Sequence, residues 1–146
     1  MIEILLAYII LVDVGLVDIV EYENKLNELI CKSHDDELLL ELVWCFSDIQ
    51  KAKGLIFNYC ERYELNIDSF GEFLMKRLKM VYLQSDIDLH EFSSKVILAW
   101  GKLPERITQV EPFWSMSYAG EPLSWGDVQQ TRKLFEEMFD FYESKR

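Results

Sequence analysis

All three prolines of the chain fall in one stretch, at positions 104, 112 and 122. Proline fixes φ, lacks a backbone N–H and disfavours helix in the residue before it. Everything upstream of Pro104 is free of this breaker, and its apolar residues recur every three or four positions. Ile19, Tyr22, Leu26, Leu29 and Ile30 share one helical face, and Ile49, Ala52, Ile56, Tyr59 and Tyr63 share another. Phe70, Phe73, Leu74, Leu78 and Val81 form a third stripe, and Leu89, Phe92, Val96, Ala99, Trp100 and Leu103 a fourth. After the prolines, Val128, Thr131, Phe135, Met138 and Tyr142 form a fifth. This period of 3.6 is that of amphipathic helices. A hydrophobic content of 50% is too high for a disordered chain, and 6 Gly with 3 Pro disfavour a turn-rich sandwich.

Helix starts are marked by a capping residue followed three places later by an acid or amide. Asp18 with Glu21, Ser69 with Glu72, Asp88 with Glu91 and Ser47 with Gln50 fit this pattern. Ser33 with Asp36 and Ser124 with Asp127 are shorter versions. Helices are expected at 2–14, 18–32, 35–46, 48–64, 69–84, 88–101 and 125–143. The third and fourth are separated only by Ser47 and Asp48, and read either as two helices or as one bent helix. Ile2–Val14 is nearly all apolar and reads as a buried helix; Leu38–Phe46, apolar on most sides, reads as a central one. The expected fold is all-α, a single-domain bundle of about seven helices over residues 1–146, with short links that make consecutive helices antiparallel neighbours. A helix-pair rhythm of about 35 residues leaves helical-hairpin repeats as an alternative arrangement.

The stretch 104–124, PERITQVEPFWSMSYAGEPLS, reads as a long Pro/aromatic loop before the C-terminal helix. Thr108–Val110 and Trp114–Tyr118 are its candidate extended pieces. Its aromatics have two readings: they cover an open end of the bundle, or they form a recognition loop, since Trp, Tyr and Met are common interface anchors.

The formal net charge is -11. Such a surface repels phosphate backbones and anionic membranes, so neither nucleic acid nor membrane is an expected partner. It attracts basic proteins and speeds their encounter. The apolar run Ile2–Val12 contains Glu3 and is followed by Asp13 and Asp18. It therefore falls short of the ~18–20 uncharged residues that span a bilayer. No Lys or Arg precedes Lys25, so the charged start of a signal peptide is missing and a cytoplasmic location is expected. Cys31, Cys45 and Cys60 are odd in number and lack close ligand spacing, which suggests reduced, buried thiols.

Phosphate-binding glycine loops, HExxH, GxSxG and EF-hand patterns are absent from the sequence. His34 adjoins Asp35 and Asp36, and His90 follows Asp86 and Asp88. Both sets contain possible metal ligands, but both stand at helix starts, where Asp satisfies backbone N–H groups and meets the positive dipole end. Glu136, Glu137, Asp140 and Glu143 crowd along the last helix and read as a solvated acidic face. No Glu has a His three places on, as a di-iron bundle needs. The expectation is therefore a protein that is not an enzyme, with no catalytic residue, metal or cofactor.

Three acidic groups stand out as candidate binding determinants: Asp35, Asp36 and Glu37 (with Glu41); Asp86 and Asp88 (with Glu91); and Glu136, Glu137 and Asp140 (with Glu143). Beside Trp114 and Tyr118 they would form aromatic anchors inside an acidic rim, the make-up of a binder for a basic protein such as a nuclease. Small size, acidity, a helical body and the distinctive segment LPERITQVEPFWSMSYAGEPLSWGDV resemble the immunity proteins of bacterial toxin–immunity systems, including contact-dependent and polymorphic toxins. That resemblance lies in the character of the whole chain, and no site residue is carried over from it. It implies non-catalytic neutralisation of a cognate toxin domain by direct contact. The alternative from another class is a structural or adaptor module acting through homo-oligomerisation or peptide binding.

Overall fold

The computed structural model describes residues 1–45, 48–84 and 86–145, and these are all-α: eight α-helices and three short 3-10 turns, with no strand among them. The chain gathers into two compact units, Met1–Phe70 and Gly71–Arg146.

The first unit is built around α1 (Ile2–Asp13), whose Leu5, Leu6, Ile9, Ile10 and Leu11 are fully buried. Only Glu3 and Asp13 are charged, and both are engaged at the helix ends. Asp13 accepts from Lys53 Nζ at 3.1 Å and from Gln50 Nε2 at 3.3 Å, while Glu3 Oε1 accepts from the backbone N–H of Asn66 at 3.3 Å. Lys53 and Gln50 belong to the start of α4 (Ile49–Arg62) and Asn66 follows its end, so α1 and α4 run antiparallel. α2 (Ile19–Lys32) packs on α1 through Tyr22 and Leu26, and α3 (Glu37–Val43) bridges α2 and α4 through Leu39 and Leu42. The central helix is therefore α1. Of the stretch Leu38–Phe46, expected in that role, the described residues 38–45 are partly exposed: Leu40 is exposed, Trp44 is 87% exposed, and the helix stops at Val43.

The second unit holds α5 from Gly71 onward (Ile67–Gln84 in full), α6 (Leu89–Trp100), α7 (Phe113–Tyr118) and α8 (Val128–Phe139). Its core is aromatic. Phe92 meets Phe135 edge-on at 5.1 Å between centroids, and Tyr82 stands 5.5 Å from Phe92 and 5.3 Å from Phe139. Phe113 and Met116 are fully buried and belong to the same unit.

The capping pattern holds, with three caps displaced from the expected serine. Asp18 accepts from Val20 N at 2.8 Å and Asp88 from Glu91 N at 3.3 Å, as the sequence indicates. Where Ser was expected, an Asp or Asn takes the part: Asp36 for α3, Asp127 for α8 and Asn66 ahead of Ser69 for α5. Asp48 caps α4 through Lys51 N. The expected Ser47 cap and the junction at Phe46 lie outside the described residues.

The 104–124 stretch is helical rather than extended. Pro104 precedes a 3-10 turn (Glu105–Ile107), Pro112 precedes α7, and Pro122 stands in the first turn of a second 3-10 turn (Glu121–Trp125). A first-turn N–H has no partner within its own helix, so a proline there costs nothing and its φ suits the helix. The expected strands at Thr108–Val110 and Trp114–Tyr118 therefore do not form. Cys31, expected to be buried, is exposed, whereas Cys45 and Cys60 are buried.

Gly71 marks a close approach: a Cβ there would collide with the Tyr142 side chain and stand 2.9 Å from the Phe113 ring. Gly71→Ala is expected to lower unfolding stability by about 2 kcal/mol, measured by denaturant titration. Tyr22 offers a test of the opposite sign. Its hydroxyl is buried with no hydrogen-bond partner among the described residues. Burial, and then the Cys45 and Glu23 charges, push it well above the usual phenol range. Above about pH 10 the unfolded chain therefore binds fewer protons than the native one, and stability falls as pH rises further. Tyr22→Phe is expected to stabilise by about 1 kcal/mol at neutral pH. Its advantage over the parent is expected to widen between pH 9 and 11 in a urea series.

Candidate functional site

A groove of about 310 Å³ lies between α3 and α4 in the first unit. α3 contributes Glu37, Leu38 and Glu41; α4 contributes Leu55, Asn58, Tyr59, Arg62 and Tyr63 just beyond its end. On α3 the pair Glu37 and Glu41 stands at i and i+4, the spacing that puts side chains on one face, and on the other side Tyr59 of α4 stacks with Tyr63 at its end. Glu37 and Glu41 therefore line one wall and the two tyrosines the other. The Tyr59 and Tyr63 rings stack at 4.3 Å between centroids with 27° between their planes. Tyr63 is 57% exposed. Partial burial, and then the neighbouring Asp36 carboxylate, push the Tyr59 hydroxyl above its ordinary range.

These carboxylates differ from others on the surface. Glu28 lies between Lys25 and Lys32, at 3.3 and 3.5 Å, and Glu91 pairs with Lys95 at 3.0 Å. Asp35, Glu37 and Glu41 are exposed, and no ion pair or side-chain hydrogen bond engages them among the described residues. Asp36 accepts from Leu39 N at 3.1 Å and so caps α3.

In the second unit, Trp114 is 39% exposed and meets Trp100 edge-on at 6.0 Å, with the Tyr118 ring 6.3 Å away. The Trp100 indole N–H donates to the Thr108 carbonyl at 3.0 Å. Ser115 Oγ donates to Glu111 Oε2 at 2.5 Å and stands 3.2 Å from the Tyr118 hydroxyl. Val110, one turn before Trp114, and Ile97, one turn before Trp100, are exposed beside these rings. Both readings of the stretch thus find residues: Phe113 and Met116 are interior, while Trp114 reaches the surface.

The acidic group at the start of α6 does not gather around Trp114. Asp88 caps the start of α6, whereas Trp100 ends it, about 18 Å away along a helix of this length. Asp86 is exposed two residues before Asp88. Glu136 on α8 and Asp140 just beyond its end border a 230 Å³ hollow with Lys79, Tyr82, Leu83 and Phe139, and Asp140 pairs with Lys79 at 3.6 Å. Glu137 is exposed on the same helix. The expected combination of aromatic anchors and unpaired acids is realised on α3 and α4 instead. The rings there are Tyr59 and Tyr63, which the sequence placed on the apolar stripe of α4 and not among the candidate binding residues. The sequence carried no signal for this, since the stripe of α4 runs on through both tyrosines and the helix facing it was expected to span 35–46 rather than the seven residues of α3.

Among the described residues, no three His, Cys, Asp or Glu side chains converge to hold a metal ion. No helix among them is long and apolar enough to cross a membrane. Neither protein-family models, nor curated proteins, nor solved structures match this chain.

Asp36→Asn keeps a good capping side chain and removes one charge. The Tyr59 hydroxyl is then expected to titrate at lower pH while that of Tyr22 stays put, as read by NMR of ring-labelled tyrosines.

Proposed function

We propose that this chain is a non-catalytic binding protein that neutralises a cognate bacterial toxin by direct contact, its acidic surface meeting a basic domain such as a nuclease. The observation that carries the reading is the set Asp35, Glu37 and Glu41 at and along α3, which are exposed and without an ion pair among the described residues, Glu37 and Glu41 sharing a groove with the exposed Tyr63. A net charge of -11 adds a long-range field that draws in basic partners and repels acidic ones. A nuclease must itself be basic around its phosphate groove, so an acidic protein covering that groove blocks substrate.

The test is rescue of growth. The product of the gene immediately upstream is expressed alone and together with this chain. Arrest in the first case and growth in the second support the proposal; a harmless product, or arrest in both, overturns it. With a toxic partner in hand, Glu37→Lys combined with Glu41→Lys is expected to slow association about tenfold at low salt and to flatten its salt dependence. Stopped-flow mixing across a salt series reads both.

A second reading, an adaptor acting through homo-oligomerisation or peptide binding, draws on the exposed Trp114, Val110 and Ile97 beside Trp100. It expects a sedimentation coefficient that rises with concentration and falls back in Trp114→Ser.

A further inference from the structure

We propose that the α3–α4 groove is a receptor for a single arginine side chain of a basic partner segment. This rests on the reading that the partner is basic, and adds which side chain is recognised and where.

The argument comes from the two walls. One presents Glu37 and Glu41, exposed carboxylates with no ion pair of their own among the described residues. The other presents the stacked Tyr59 and Tyr63 rings, with Leu38 and Leu55 also lining the groove. A guanidinium is a planar cation with a rigid fork of donors. Its face stacks on a tyrosine while its edge donates to carboxylates, and its weak hydration lets it leave water more easily than an ammonium does. A lysine satisfies the charge but offers neither the flat face nor the fork. A neutral apolar segment would leave both glutamates unpaired. At about 310 Å³ the groove suits one long side chain rather than a helix.

Arg62 sharpens the case. It lines the same groove, is exposed and makes no ion pair with Glu37 or Glu41. Its charge opposes an incoming cation, so its removal is expected to strengthen binding, whereas loss of a favourable contact would weaken it.

The experiment titrates the full chain with blocked tri-arginine, tri-lysine and tri-citrulline peptides, followed by amide NMR. Citrulline keeps the shape of arginine and removes its charge. Tri-arginine is expected to shift amides of residues 37–41 and 55–63, with tri-lysine weaker and tri-citrulline inert. Tyr63→Ala is expected to weaken tri-arginine binding about two- to fivefold and Tyr63→Phe to preserve it. Glu37→Gln with Glu41→Gln is expected to abolish the shifts, and Arg62→Gln to tighten binding about two- to threefold. The proposal is overturned if the shifts spread equally to Asp86, Asp88 and α8, or if lysine or citrulline matches arginine. It is also overturned if tri-arginine moves no amide in the groove. Tyr63 and Arg62 are exposed, and the dispersion of the remaining amide signals shows whether each variant is folded. Growth rescue can fail while this titration succeeds, and the reverse, so the two ideas are separable.

Discussion

Burial of an almost wholly apolar helix organises the first unit. Leu5, Leu6, Ile9, Ile10 and Leu11 of α1 are removed from water on all sides, each contributing about 2 kcal/mol by transfer arithmetic. A helix without a polar face has to be surrounded, and α2 and α4 supply the cover. Its two charges are then confined to its ends, where Lys53, Gln50 and the Asn66 N–H meet them. This sets the antiparallel pairing of α1 and α4. It also leaves the outer side of α4 to the short α3, and the groove lies where α3 and the last turns of α4 meet.

The acidic composition has two sources that structure separates. Five aspartates, at positions 18, 36, 48, 88 and 127, accept backbone N–H groups at helix starts. A chain with many short helices needs many such acceptors, and these charges serve folding first. Glu28, Glu91 and Asp140 are matched by lysines. The glutamates of α3 belong to neither set. A charge that neither caps nor pairs contributes little to folding; it adds to the negative field around the molecule.

The helical stripes were legible because period and burial share one geometric cause: Phe92, Val96, Ala99 and Leu103 are all buried, as are Thr131, Phe135 and Met138. Helix starts were legible to within a few residues. Their misassignments share a pattern, in which a serine was chosen and a nearby Asp or Asn became the cap. The carboxylate or amide reaches the N–H well and continues a turn poorly, so it wins the boundary. The prolines were read as ending a helix in favour of a long loop with extended pieces. Their second property, compatibility with a first turn, decided what replaced it.

Sequence alone determined that the chain is all-α, where most helices begin and which face of each is apolar, because those properties depend on neighbours within one or two turns. Tertiary structure decided which helix is central and which apolar residues remain uncovered. Tyr59 and Tyr63 continue the stripe of α4 without a break, yet beside α3 Tyr59 is only half-buried and Tyr63 is exposed. Periodicity reports a face, and whether that face meets protein or solvent depends on the length and placement of a partner distant along the chain.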